Sequence, residues 1–149
     1  MNAPRSYSDW TLCLDEIKRG ANDDATLSAM EKGVLSWTSG VAERFCAHLF
    51  EVINFRLDGA SKRLQRNLDM SRGNETAIVS GLMGMRRELG FLKRLTMLPA
   101  IPEDKRDYFV RQIAESAGNI QKSLENSAKS DRSGRLVSLF RNNRIDSIN

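Results

Sequence analysis

Residues 39–70, SGVAERFCAHLFEVINFRLDGASKRLQRNLDM, decide the fold class of this chain. Apolar side chains recur here at alternating steps of four and three residues, which is the spacing of one face of an α-helix. The stripe is wider than the two residues per heptad of a coiled-coil seam, so it is typical of a helix packed within a globular bundle. The central seam is Cys46, Phe50, Ile53, Leu57, Ala60 and Leu64, widened by Phe45, Leu49, Val52 and Leu68.

The same helical period continues on both sides of this stretch. Two further long helices are predicted, at about residues 75–98 and 103–129, and two shorter ones precede residue 39. Short links between consecutive helices favour antiparallel packing. The sequence therefore predicts an all-α fold, an antiparallel bundle of about five helices, three of them long with heptad-like seams. The seams of the later long helices are Ile78, Leu82, Met85, Leu89, Leu92 and Thr96, then Val110, Ile113, Ala117, Ile120 and Leu124.

Three glycines interrupt the predicted helix at 75–98, namely Gly81, Gly84 and Gly90. Each disfavours a helix interior by roughly 1 kcal/mol relative to alanine. Their presence in a strongly patterned helix predicts the close approach of a neighbouring backbone.

A length of 149 residues fits one domain with a core of ordinary size. We predict a single helical-bundle domain over residues 1–129, followed by a basic amphipathic tail over residues 130–149, which reads SDRSGRLVSLFRNNRIDSIN. As a helix, the tail places three apolar side chains on one side. A helix this short is not stable alone in water, so it must dock on its own bundle, on a second copy or on a partner.

Docking of the tail in a groove of another protein is the sharper interpretation, because short amphipathic helices bind partners in this way. Docking on its own bundle is the commoner arrangement for such a segment. The residues predicted to bind a partner are Arg135, Leu136, Leu139, Phe140, Arg141 and Arg144.

Positive charge is concentrated in the second half of the chain. Residues 1–75 carry 10 Lys/Arg against 11 Asp/Glu, whereas residues 76–149 carry 13 against 8. Such an asymmetry predicts an anionic partner surface or a tail kept charged for solubility. A nucleic-acid-binding regulator that uses the basic second half is therefore the first alternative function.

The sequence contains few of the residue patterns that are typical of an active site. The phosphate-binding, dinucleotide-binding and nucleophile-elbow glycine motifs do not occur in the sequence. His48 is the only histidine, and metal or acid–base chemistry would need carboxylates converging on it from other helices. An enzyme or metal protein built on His48 is the second alternative, and an ordinary ion pair of this histidine is favoured. We predict no cofactor and no metal.

The sequence therefore predicts a non-enzymatic helical interaction protein: an adaptor, a secretion-type chaperone or a regulator. A homodimer is also considered, because three long helices leave one flank under-covered. Cys13 and Cys46 have no disulfide or metal spacing, and no stretch has the length of a membrane span. A cytoplasmic location is expected.

Overall fold

A computed structural model of the chain describes residues 1–147. These residues form six α-helices and no strand, so the predicted all-α class is confirmed. The tail contributes a helix of its own, which raises the number beyond the five predicted. The antiparallel bundle arrangement stays a prediction. The helices are α1 (Tyr7–Arg19), α2 (Asp23–Glu31), α3 (Ser39–Ser71), α4 (Glu75–Thr96), α5 (Glu103–Ala128) and α6 (Arg135–Asn142).

Local capping chemistry explains where α1 begins and ends. The Ser6 hydroxyl accepts a hydrogen bond from the Asp9 amide at 3.1 Å, and the Asp9 carboxylate accepts one from the Ser6 amide at 3.3 Å. This reciprocal pair satisfies amides that have no partner within the helix. Gly20 ends α1 in the left-handed conformation, at φ +77°, which is open to glycine without steric cost.

The chain divides into two compact units, each described here by itself. Unit 1 comprises Met1–Arg56 and Arg94–Phe109, and unit 2 comprises Leu57–Lys93 and the chain from Val110 onward. The residues of α3, α4 and α5 are shared between the units.

An aromatic cluster forms the core of unit 1. Phe45 meets the edges of Trp10 and Trp37, with ring centroids 5.6 and 5.5 Å apart. Trp10 Nε1 donates a hydrogen bond to the Val34 carbonyl at 2.8 Å, so the buried indole is satisfied. Gly33 fits beneath this cluster, since a methyl group there would lie 2.7 Å from both Pro4 Cγ and Trp10 Cζ2.

A half-buried ion pair fastens α3 to the α1–α2 corner in unit 1. The Arg56 guanidinium donates to both oxygens of Asp23, at 2.8 and 2.9 Å, and to the Ile17 carbonyl at 3.1 Å. The planar fork of arginine matches a carboxylate, so the pair fixes orientation as well as distance.

The predicted seams agree with the buried residues best in α4. Ile78, Leu82, Met85, Leu89, Leu92 and Thr96 are all buried. In α3 the predicted seam is buried from Ile53 to Leu64. It was wrong at Phe50, which is 43% exposed, because the buried residues of the preceding turns are those predicted only to widen the stripe: Phe45, Leu49 and Val52. Val110 and Ile120 of α5 are half-buried rather than core residues.

The glycines of α4 only partly fit the prediction of close packing. A methyl group at Gly81 would lie 3.4 Å from Asn67 Cβ and 3.5 Å from Leu64 Cδ1, so α3 does approach α4 here. At Gly84 the nearest atom would be Arg87 Nη2 at 3.9 Å, and at Gly90 nothing lies within 4 Å. Close approach therefore explains Gly81 and does not explain Gly90.

Candidate functional site on the C-terminal helix

The start of α6 is built by residues of the preceding turn. Gly134 adopts the left-handed conformation at φ +74° and turns the chain into the helix. The Asp131 carboxylate then accepts a hydrogen bond from the Leu136 amide at 3.0 Å, and the Ser133 hydroxyl accepts one from the Arg135 amide at 3.3 Å. These side chains satisfy the first amides of a helix that has no side-chain cap at Gly134.

The inner side of α6 is held by Gln121 of α5. This glutamine is only 1% exposed. Its Nε2 donates to the Phe140 carbonyl at 3.1 Å, and its Oε1 accepts from the Ile145 amide at 3.0 Å. Phe140 and Ile145 are themselves buried, so the tail is packed within unit 2 from Phe140 to Ile145.

Glu125, one turn after Gln121, pairs with Arg141 near the end of α6 and with Arg144 just after the helix. Arg141 Nε donates to it at 2.7 Å, and Arg144 Nη1 lies 3.8 Å from its second oxygen. The hydrogen bond from Arg141 is the main reason that the pKa of Glu125 is lowered. The pKa of Asp131 is also lowered, chiefly by the Leu136 amide and then by the Ser133 hydroxyl. Both carboxylates thus bind α6 most firmly when they are ionised.

Next to Phe140, the same face of α6 borders a cavity. Leu136 and Leu139 are half-buried, and together with Ile78 of α4 they line a space of about 290 Å³. Glu75, Asp131 and Arg135 supply polar groups at the same cavity. The arrangement offers an apolar recess of side-chain size with charged groups around it, which suits an inserted apolar side chain better than a reaction.

The six residues predicted to bind a partner thus have different surroundings. Phe140 is buried against its own unit. Leu136 and Leu139 line the cavity. The arginines are ion-paired within unit 2, Arg135 with Glu75, Arg141 with Glu125, and Arg144 with Glu125 and Asp146. Partner binding by these residues stays a prediction, and so does the division into residues 1–129 and a tail.

The sequence did not identify Gln121, which is absent from the predicted seam of the fifth helix. The only signal in the sequence is that this polar residue lies four positions after Ala117 and therefore on the same face of the helix. Such a position identifies a buried amide only when its hydrogen-bond partners are known.

His48 lies in unit 1 and interacts with a carboxylate of α1. Its Nε2 is 3.0 Å from Asp15 Oδ1, whereas the neighbouring Glu51 pairs with Lys18 at 2.9 Å. Among residues 1–147, no three or more His, Cys, Asp or Glu side chains are grouped to hold a metal ion. Both cysteines are free thiols, and burial raises the pKa of each.

Within the part of the chain that the structure describes, no helix combines the length and apolar character needed to cross a bilayer. Comparison of the chain with protein-family models, with curated proteins and with solved structures gave no match in any of the three.

Proposed function

We propose that this chain is a non-enzymatic, cytoplasmic interaction protein, such as an adaptor, a secretion-type chaperone or a regulator, and that its partner docks on α6. The observation that supports the proposal is that the apolar residues of this helix have two different surroundings. Phe140 anchors α6 to its own unit, while Leu136 and Leu139 line a cavity at the surface. A partner that inserts one apolar side chain there would complete the burial of Leu136 and Leu139, which α6 leaves half-buried by itself.

Substitution of Leu139 tests the proposal without disturbing the anchor. Tagged full-length protein is purified from its own organism, and co-purifying proteins are quantified for the wild type, for Leu139→Asp and for Ser138→Asp. Ser138 is the adjacent, exposed residue of α6, so it controls for added charge. We expect Leu139→Asp to lose a defined partner, because it would place a charge in the apolar recess, and Ser138→Asp to retain it. Equal recovery with both variants would contradict the proposal.

Two further measurements separate the rival functions. Sedimentation velocity at micromolar concentration shows whether the partner is a second copy, since a dimer would double the mass of 16.8 kDa. His48→Ala tests the enzyme alternative. We expect this variant to keep the partner and to change stability by about 0.5–1.5 kcal/mol, the usual contribution of one hydrogen bond.

A further inference from the structure

The groove between α3 and α4 in unit 2 carries unbalanced positive charge. It has a volume of about 250 Å³. The contacts of Gly81 with Leu64 and Asn67 show that α3 and α4 fold back on each other here. Gly84 of α4 is half-buried in the groove, whereas Gly81 is buried against α3. The residues that line the groove include Arg63, Asn67, Ser80, Gly81, Gly84 and Arg87.

Hydrogen-bond donors extend over this glycine-lined surface. Arg87 Nη2 lies 3.9 Å from the position that a methyl group on Gly84 would occupy. Asn67 Nδ2 lies 3.7 Å from the corresponding position on Gly81, and Arg63 lines the groove from α3. Arginine, asparagine and serine side chains are the groups that contact phosphate oxygens in protein–nucleic acid complexes.

The groove arginines have no carboxylate of their own. Arg63 and Arg87 of the groove, and Arg66 one turn after Arg63, are exposed and form no ion pair with any residue between 1 and 147, unlike Arg135, Arg141 and Arg144 of the tail. Three of the four carboxylates in residues 57–93 interact elsewhere: Asp58 with Lys62 at 2.9 Å, Asp69 with Gln65 at 3.0 Å, and Glu75 with Arg135. Residues 57–93 carry seven Lys/Arg against four Asp/Glu, so this part of the chain has a net positive charge that attracts anions.

We propose that this groove binds the sugar–phosphate backbone of double-stranded nucleic acid, a function beyond the partner docking proposed for α6. Arg66 lies one helical turn after Arg63, beside the residues that line the groove, so exposed cations continue along α3 and suit a row of phosphates rather than a single one. None of the described residues that line the groove is aromatic, so it offers no platform for unstacked bases. Backbone contacts carry no base information, so binding is independent of sequence.

Fluorescence anisotropy with a labelled 20-base-pair DNA duplex tests this proposal on the full chain. The variant Arg63→Gln with Arg87→Gln removes two phosphate contacts. At 100 mM salt the affinity falls by about 10- to 100-fold, and the slope of log affinity against log salt decreases by about 2. The control Lys122→Gln with Lys129→Gln removes the same charge from exposed positions of unit 2 outside the groove, and it lowers the affinity by less than about threefold.

A second variant blocks the groove without changing charge. Gly84→Leu adds a side chain where only Arg87 is near, so folding is retained, as circular dichroism checks, and duplex affinity falls at least about fivefold. Equal losses in the groove and control double variants would overturn the proposal. So would tighter binding of a single strand or of a phosphoserine peptide than of the duplex. Leu139→Asp leaves duplex binding unchanged, so failure of partner docking and failure of this proposal are distinguishable.

Discussion

Replacement of glycine by alanine is expected to have opposite effects on stability at Gly33 and at Gly90. We expect Gly33→Ala to destabilise the protein, because its methyl group would lie 2.7 Å from Pro4 and Trp10 and 2.9 Å from the Pro4 carbonyl oxygen. We expect Gly90→Ala to stabilise it by about 0.5–1 kcal/mol, since the site is open and alanine favours the helix. Urea unfolding followed by circular dichroism measures both, and shifts of the same sign would contradict this account.

Gln121 gives a second test at the residue scale. Gln121→Leu keeps the volume but leaves the Phe140 carbonyl and the Ile145 amide without their partner. Unpaired buried groups of this kind cost about 1–3 kcal/mol. The matched control is Gln65→Leu, at an exposed glutamine, which we expect to change the free energy of unfolding by no more than about 0.5 kcal/mol. Similar losses for the two variants would show that Gln121 does not hold the tail.

The sequence predicts core residues well wherever period and hydrophobicity agree, as in α4. It fails at Phe50 because a wide apolar stripe does not reveal its own centre, which depends on the neighbouring helices. It fails at Gln121 because the partners of that amide lie 19 and 24 residues further along the chain. Residue types and spacing contain neither kind of information.

At the level of the element, α6 is a short helix whose attachment depends on ionised carboxylates. Glu125 and Asp131 have lowered pKa values in the folded protein, so they stabilise it above their unfolded pKa values near 4, and this contribution is lost as the pH falls through the lowered values. We expect amide protection factors of α6, measured by NMR hydrogen exchange, to decrease between about pH 4 and pH 2. Those around Leu89 in α4 should decrease less.

The matched variant for this prediction is Glu125→Gln. It should weaken the protection of α6 at neutral pH and reduce its dependence on pH. Loss of protection in α4 and α6 at the same pH would instead indicate acid unfolding of the whole unit, and the carboxylates would then have no special effect on α6.

The helices themselves were predictable within a few residues, because capping residues, glycines and prolines mark their ends. The tail was predicted as a short amphipathic helix, and α6 is one. Which of its apolar residues would be buried was not predictable, since Leu136, Leu139 and Phe140 share one side. The outcome depends on residues elsewhere in the chain. Gln121 binds the Phe140 carbonyl, whereas Ile78 lines the cavity together with Leu136 and Leu139.

Across the whole molecule, charge follows the two units more closely than it follows the two halves of the sequence. Unit 1 carries 9 Lys/Arg against 11 Asp/Glu, and unit 2 carries 14 against 8, so their net charges are −2 and +6. A division at residue 75 understates this contrast, because the last part of α3 belongs to the basic unit. Both proposed surfaces, the α6 cavity and the α3–α4 groove, lie on unit 2.

Site-specific photo-cross-linking at α6 tests the proposed docking most directly. A photoreactive amino acid replaces Ser138, which is exposed beside Leu139, or Ser123, which is exposed on α5 in the same unit. After irradiation of intact cells, we expect one defined cross-linked product from position 138, none from position 123, and loss of the product when Leu139→Asp is added. The absence of a product at position 138, or the same products from both positions, would contradict the claim that α6 is where this protein meets its partner.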